Sequence, residues 1–186
     1  MFDGTVAHSP IVTNDAPATR PADKLLKTGM LEHINPDFFT ILGQHEFSDQ
    51  VLDNWIGIFK LTSAADPFGE GIALQFKNNE ARALYGDLPS RAFFSLLLPE
   101  SVETRLRWGI SLDKLRKILI ISANGVCSDE IDISSLESPD IFQLILSIYS
   151  GIGGTSGGHD ALKQISYFNI IPYLITKTQL EELTAL

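Results

Sequence analysis

The chain has a single cysteine, few basic residues and no long apolar run, and each shortage excludes a class of protein. Cys127 is the only cysteine among the 186 residues, so no intrachain disulfide can form. This is typical of a protein of a reducing compartment. Lys and Arg total 14 against 23 Asp and Glu, which gives a net charge of −9. Since nucleic-acid affinity comes largely from cations that neutralise phosphates, nucleic-acid binding is not expected.

The apolar stretches 141–149 and 170–175 are shorter than the about 20 residues that span a bilayer. The first residues lack the basic and apolar regions of a secretory signal. We therefore expect a cytoplasmic protein without membrane contacts. Residues 1–21 contain three prolines and almost no periodic apolar pattern, which predicts a flexible leader. With a hydrophobic content of 44%, residues 22–186 are expected to form a single globular domain.

Helix-start residues occur before several apolar segments. Asn35-Pro36-Asp37 supplies a cap, a first-turn proline and an acid, and predicts a helix that ends at Gly43. Ser138-Pro139-Asp140 has the same chemistry and predicts a buried helix over 141–149. Residues 48–61 favour a helix, although 56–61 alternates enough to be a strand. Further helices are predicted near 22–31, at 101–108, at 160–169 and from 172 onward, the last with a capping box at Thr178 and Glu181.

Two hairpins are predicted between these helices. Strands at 71–76 and 80–85 are separated by a short turn. Strands at 117–122 and 126–133 flank Asn124-Gly125, a pair that favours the positive φ angles of a tight hairpin turn. Together the elements predict an α+β fold, with a small, mainly antiparallel sheet of about four strands and helices at both ends.

The glycine-rich segment 151–158 invites comparison with a phosphate-binding loop. Its glycines have the P-loop spacing, but His159 and Asp160 stand where Lys and Ser or Thr belong. Without that lysine the terminal phosphates lose their cation, and the aspartate adds repulsion. We therefore interpret the segment as a flexible connection between helices, and no nucleotide cofactor is expected.

Other candidate sites have simpler explanations. A conceivable set of metal ligands consists of Glu32, His33, His45, Glu46 and Asp49. It lacks the paired spacing of zinc ligands, so these residues are better explained as polar surface residues. His159 and Asp160 are sequence neighbours that do not face each other on a helix, and Cys127 fits a buried structural thiol. We therefore predict no catalytic, cofactor-binding or metal-binding residues. A small hydrolase or transferase stays open as an alternative, with a site converging from Asp37, His33, Glu46 and His159.

From residue 71 onward the order of elements resembles the BTB/POZ fold of adaptor and assembly domains. Residues 90–97 are similar to its S-x-x-F-x-x-L-L helix, and residues 138–151 to its S-P-x-x-F-x-x-x-L-x-x-x-Y-x-G helix. Residues 161–169 and 171–183 are similar to its closing helix pair. The chain departs from the pattern in the segment 99–125, which is inserted between parts that are normally close. The resemblance implies homo-oligomerisation and docking of partner proteins, including cullin-type ligase scaffolds, with no catalytic residues.

These observations predict a non-catalytic protein–protein interaction or assembly module that self-associates. One alternative is a structural or accessory component of a larger particle, such as a virion or a secretion machine. The expected partners are proteins, including a second copy of the chain, and neither nucleic acid nor membrane.

Overall fold

Two antiparallel sheets make up most of the regular structure. A computed structural model describes residues 25–28, 37–47, 55–62, 71–86, 90–102, 104–139, 143–147 and 162–185. The elements in chain order are β1 Leu25–Thr28, β2 Phe38–Phe47, β3 Ile56–Thr62, β4 Gly71–Lys77, β5 Glu80–Gly86, β6 Ala92–Leu97, β7 Arg105–Asp113, β8 Ile118–Ala123, β9 Val126–Cys127, β10 Ile131–Asp132, β11 Gln143–Ser147, β12 Leu162–Ile171 and α1 Lys177–Thr184.

The two sheets differ in how their strands are connected. The first has the strand order β1-β11-β3-β4-β5-β6, in which β3 to β6 are consecutive hairpin neighbours. The second has the order β10-β8-β7-β2-β12, with β9 also pairing with β8. All pairings are antiparallel, and two of them, β1 with β11 and β2 with β12, join opposite ends of the chain. Among the described strands, β6 forms one edge of the first sheet and β12 one edge of the second.

Aromatic side chains join the sheets across the core. Alternate residues of β2 point inward, and Phe39 and Phe47 are each 1% exposed. Phe59 of the first sheet stacks on Trp108 of the second, with 4.8 Å between ring centroids. Phe47 and Phe76 form a second stacked pair between the sheets, at 5.9 Å. Because the sheets meet through these rings and the aliphatic side chains around them, the fold is a β-sandwich.

Helix α1 covers part of the outer face of the second sheet. Leu180 is fully buried and packs with Leu42 and Ile120, which point away from the sandwich core. This second apolar cluster explains why the strands beneath the helix are apolar on both faces. No helix in the described ranges is long and apolar enough to cross a membrane.

The N-terminus of α1 has a capping box, two residues before the predicted one. The Thr176 side chain accepts from the Gln179 N–H at 3.2 Å, and Gln179 Oε1 accepts from the Thr176 N–H at 2.9 Å. The predicted pair, Thr178 and Glu181, has the same spacing but lies inside the helix.

Both predicted hairpins are confirmed. Strands β4 and β5 pair from Gly71 with Gly86 to Lys77 with Glu80. Strands β8 and β9 are joined by Asn124-Gly125, whose φ angles are 45° and 78°. The return strand is shorter than predicted, because β9 has two residues and β10 then pairs with the far end of β8.

The predicted α+β fold is wrong, because the structure is mostly β. The helices predicted at 35–43, 101–108, 141–149 and 160–169 give way to β2, β7, β11 and β12. Residues 90–97, the first BTB-like helix, contain β6. Strands β2 and β7 are largely buried on both faces, and such a strand has a continuous apolar sequence that periodicity cannot separate from a buried helix. The predicted leader, 1–21, lies outside the described residues.

Candidate functional site

An arginine on the outer face of the first sheet is held in a fixed orientation by three neighbours. Arg82 lies on β5 directly opposite Gln75 of β4. Its Nε and Nη2 both donate to Gln75 Oε1, at 3.0 Å and 2.6 Å. Two donors on one acceptor fix the plane of the guanidinium, so Arg82 is preorganised by a cross-strand contact.

Two aromatic rings flank the same guanidinium. The Arg82 Cζ atom lies 3.6 Å from the ring centroid of Trp55 and 4.5 Å from that of Phe93. Trp55 precedes β3 and Phe93 belongs to β6, so the cluster spans β3 to β6. We call Trp55, Gln75, Arg82 and Phe93 the arginine cluster. Each ring attracts the cation through its negative face, and together they restrain the side chain.

The charge of the arginine cluster is partly desolvated. Burial lowers the pKa of Arg82, and the nearby carboxylate of Glu80 raises it. An arginine keeps its proton at neutral pH in such a setting. The cluster therefore presents a permanent positive charge on a chain whose net charge is −9.

Among the described residues, none forms a hydrogen bond on the outer edge of the guanidinium. Gln75 Oε1 accepts from Nε–H and from one N–H of Nη2, whereas Nη1 makes no hydrogen bond to any described residue. Two parallel N–H groups on this edge match the oxygens of a carboxylate. Phe93 is 47% exposed beside it and Ser95 is also exposed, so an apolar ring and a hydroxyl adjoin the charge. The arrangement can bind an acidic group and the apolar face next to it.

Two of the residues considered as metal ligands, His45 and Glu46, are described by the structure and lie on opposite faces of β2. His45 is fully buried, and its Nδ1 accepts a hydrogen bond of 2.9 Å from Trp108 Nε1. Glu46 points to the opposite face of β2 and forms an ion pair of 3.7 Å with Arg105. No group of three potential metal ligands occurs in the part of the chain that the structure describes. Glu32, His33 and Asp49 lie outside it.

Cys127 is a half-buried thiol rather than a nucleophile. It packs against the small apolar cluster under α1, and its Sγ donates to the Lys177 carbonyl at 3.8 Å. Burial raises the pKa of this thiol, which reduces the thiolate fraction at neutral pH. The hypothesis of a structural thiol agrees with this environment.

The glycine-rich segment 151–158 and the neighbouring His159 and Asp160 lie outside the described residues. Asp37 is described at the start of β2 and is exposed. The enzyme alternative that would combine Asp37 with Glu46 gains no support, because these residues are at opposite ends of β2.

Sequence reasoning missed the arginine cluster, although one signal for it was present. The predicted hairpin places Gln75 and Arg82 at equal distances from its turn, so the two residues face each other. Trp55 precedes β3, which the sequence predicted only as an alternative to a helix, and Phe93 lies on β6, which the sequence did not predict. Phe93 in particular was assigned to a helix.

Comparison with known proteins identifies the fold through structure alone. No family model matches the chain, and no curated protein matches its sequence. The binding domain of botulinum neurotoxin DC, solved with rat synaptotagmin II, matches with a TM-score of 0.65 and 11% identity over 94% of this chain and 44% of that one. The CBM40 domain of the Ruminococcus gnavus IT-sialidase matches with a TM-score of 0.62 and 11% identity over 87% of this chain and 99% of that one.

The chain has the β-sandwich fold of these domains. It spans 35% to 44% of the neurotoxin DC binding domains and nearly the whole length of the CBM40 domain. The resemblance to the BTB/POZ fold is therefore wrong. The sequence patterns that resemble BTB/POZ helices were misleading, because apolar segments that begin with Ser-Pro and end with Gly are not specific to helices.

Proposed function

We propose that the chain is a non-catalytic binding module that recognises an acidic glycan at the arginine cluster. The observation that carries the proposal is the Arg82 guanidinium, which is held between two rings and by Gln75 and has no described residue bonded to its outer edge. A carboxylate bound on that edge would place the adjoining sugar ring near Phe93. Aromatic rings offer apolar faces, and fixed polar groups provide orientation, which suits a sugar ligand.

Structural neighbours support this ligand class. The CBM40 domain was solved bound to α2,3-sialyllactose and to α2,6-sialyllactose. The neurotoxin DC binding domain was solved in complex with SialylT. For botulinum neurotoxin type C, entering cells is described as dependent upon interaction with two ganglioside molecules. Several of these ligands carry sialic acid, whose carboxylate has the chemistry that Arg82 can bind.

A binding role without catalysis also suits the chemistry of the described side chains. The thiol of Cys127 is kept protonated by burial, and His45 is enclosed in the core against Trp108. Neither group can serve as an exposed nucleophile or base.

Titration of the full chain with α2,3-sialyllactose and with lactose tests the proposal. We expect saturable binding of sialyllactose and much weaker binding of lactose, which lacks the carboxylate. The Arg82→Gln variant should lose at least about tenfold in affinity, because a hydrogen-bonded charge pair is removed. Arg82→Lys should recover little, since an ammonium cannot bind a carboxylate through two parallel donors.

Arg116→Gln is the matched control, because the Arg116 side chain is exposed in the turn after β7 and forms a long ion pair with Glu130, at 3.7 Å. It removes the same charge and should leave affinity unchanged. Equal affinity for sialyllactose and lactose, or full binding by Arg82→Gln, would rule out the proposed site.

A protein partner is the second candidate. Leu97 is 67% exposed on the same outer face as Phe93, and exposed apolar side chains beside an arginine are typical of protein interfaces. The neurotoxin DC domain was also solved with a protein, rat synaptotagmin II. Self-association, expected from the sequence, belongs to this second candidate.

A further inference from the structure

In the part of the chain that the structure describes, strand β6 is an edge strand, and it lacks the protections that edge strands usually have. It pairs only with β5 among the described strands, and that pairing shows no bulge. Its sequence, Ala-Phe-Phe-Ser-Leu-Leu, contains neither charge nor proline. Exposed edges of this kind favour pairing with another strand, and natural proteins normally prevent it with lysine, proline or a bulge. Because β6 lacks all three, its edge is suited to pairing.

The outward side chains of β6 are complementary to a second β6. Phe93, Ser95 and Leu97 occupy the outer face, as their partners Leu84, Arg82 and Glu80 on β5 show. In an antiparallel pair centred on Ser95, Phe93 faces the partner's Leu97, and the two Ser95 hydroxyls meet at the two-fold axis. A shift of one residue would exchange the two faces, and a shift of two would place an apolar residue opposite a serine.

We propose that β6 pairs antiparallel with β6 of a second copy, in the register that places Ser95 opposite the partner's Ser95. The inference rests on the second proposed role, protein–protein interaction, and names the partner as the chain itself. Such an interface is closed by its two-fold symmetry, so it yields a dimer and no larger assembly.

Charges at the two ends of β6 favour the antiparallel arrangement. Arg91 precedes the strand and Glu100 follows it, and both are exposed. Antiparallel pairing brings each Arg91 close to the partner's Glu100, whereas parallel pairing would place like charges together.

The same pairing joins the first sheet of one copy to the first sheet of the other, which makes one continuous surface. It places the two Phe93 positions about 14 Å apart along the strand direction, so the dimer would present two arginine clusters on one face.

Sedimentation velocity of the full chain over a range of concentrations tests the dimer. We expect reversible dimerisation, and Leu97→Glu should weaken it at least about tenfold, because it replaces the apolar contact of Leu97 with the partner's Phe93 by a charge on the edge strand. The control is Ser135→Glu, which adds the same charge at an exposed position outside β6. A parent chain that is monomeric at every concentration, or dimerisation unaffected by Leu97→Glu, would overturn the inference.

Disulfide trapping tests the register separately. Under mild oxidation the Ser95→Cys variant should form a covalent dimer, since directly opposed residues lie about 5 Å apart. Leu97→Cys should not, because its two copies would lie about 14 Å apart, beyond the reach of a disulfide. The parent chain, with Cys127 alone, gives the background. Equal trapping of both variants would exclude this register.

Sialyllactose titration of the parent chain distinguishes the two proposals. Binding by a strictly monomeric chain would overturn the dimer alone, whereas a dimer that does not bind sialyllactose would overturn the glycan proposal alone.

Discussion

At the scale of single residues, Gly43 shows how the core depends on the absence of a side chain. Gly43 lies on β2 directly opposite Trp108 of β7, and the indole lies over it. A Cβ at Gly43 would come within 2.3 Å of Cζ2 of Trp108. The indole cannot move aside easily, because it is fully buried, stacks on Phe59 and donates to His45. The residue that we interpreted as a helix terminus is therefore a contact point of the sandwich core.

Gly43→Ala should destabilise the chain by about 2–3 kcal/mol, as overpacking of a rigid core does. Gly109→Ala is the comparison, since a Cβ there meets the methyl ends of Leu180 and Leu42 at 2.7 Å and 2.8 Å, and these can rotate away. We expect a clearly smaller loss for Gly109→Ala in urea denaturation. If the indole is the cause, Trp108→Leu should reduce the additional cost of Gly43→Ala. Equal costs for both glycine variants would contradict this explanation.

At the scale of elements, the β8–β9 turn depends on Gly125. Its φ is 78°, and a Cβ there would lie 3.3 Å from the Cα of Ala185, after helix α1. Gly125→Val should cost about 1–3 kcal/mol, because a β-branched residue is strained at positive φ. Gly125→Asn is the control, since asparagine tolerates this conformation better. The two variants should differ by several degrees in melting temperature, and equal melting would contradict a turn fixed by its backbone.

The hairpins could be predicted from the sequence because their signals are local. Asn124-Gly125 determines its own turn, and once β4 and β5 are assigned, the register that joins Gln75 to Arg82 follows. Strands β1, β2, β11 and β12 could not be predicted, because their hydrogen-bond partners are distant in sequence. Leu42 of β2, for example, is buried under α1 and pairs with Asn169. Its apolar character thus reflects contacts with the end of the chain.

At the scale of the whole molecule, four of the ten pairings among the described strands join segments that are far apart in sequence. Strand β2 pairs with β12, so His45 lies opposite Ile165, and β1 pairs with β11 through Leu25 and Ser147. Forming such pairs requires closing long stretches of chain before the contacts that stabilise them exist. The fold predicted from the sequence, with helices at both ends, would have been dominated by local contacts and would have folded faster.

The sandwich topology therefore predicts slow folding, with refolding in water on the scale of milliseconds to seconds. Trp108 is a direct probe, because its stacking on Phe59 requires the two sheets to have come together. Stopped-flow fluorescence of a Trp55→Phe variant would isolate this signal, since Trp55 and Trp108 are the only tryptophans. Far-ultraviolet circular dichroism should change with the same rate constant if strand pairing and sheet packing occur in one step. Complete recovery of the Trp108 signal within microseconds would contradict a non-local core, because closing β2 onto β12 cannot be that fast.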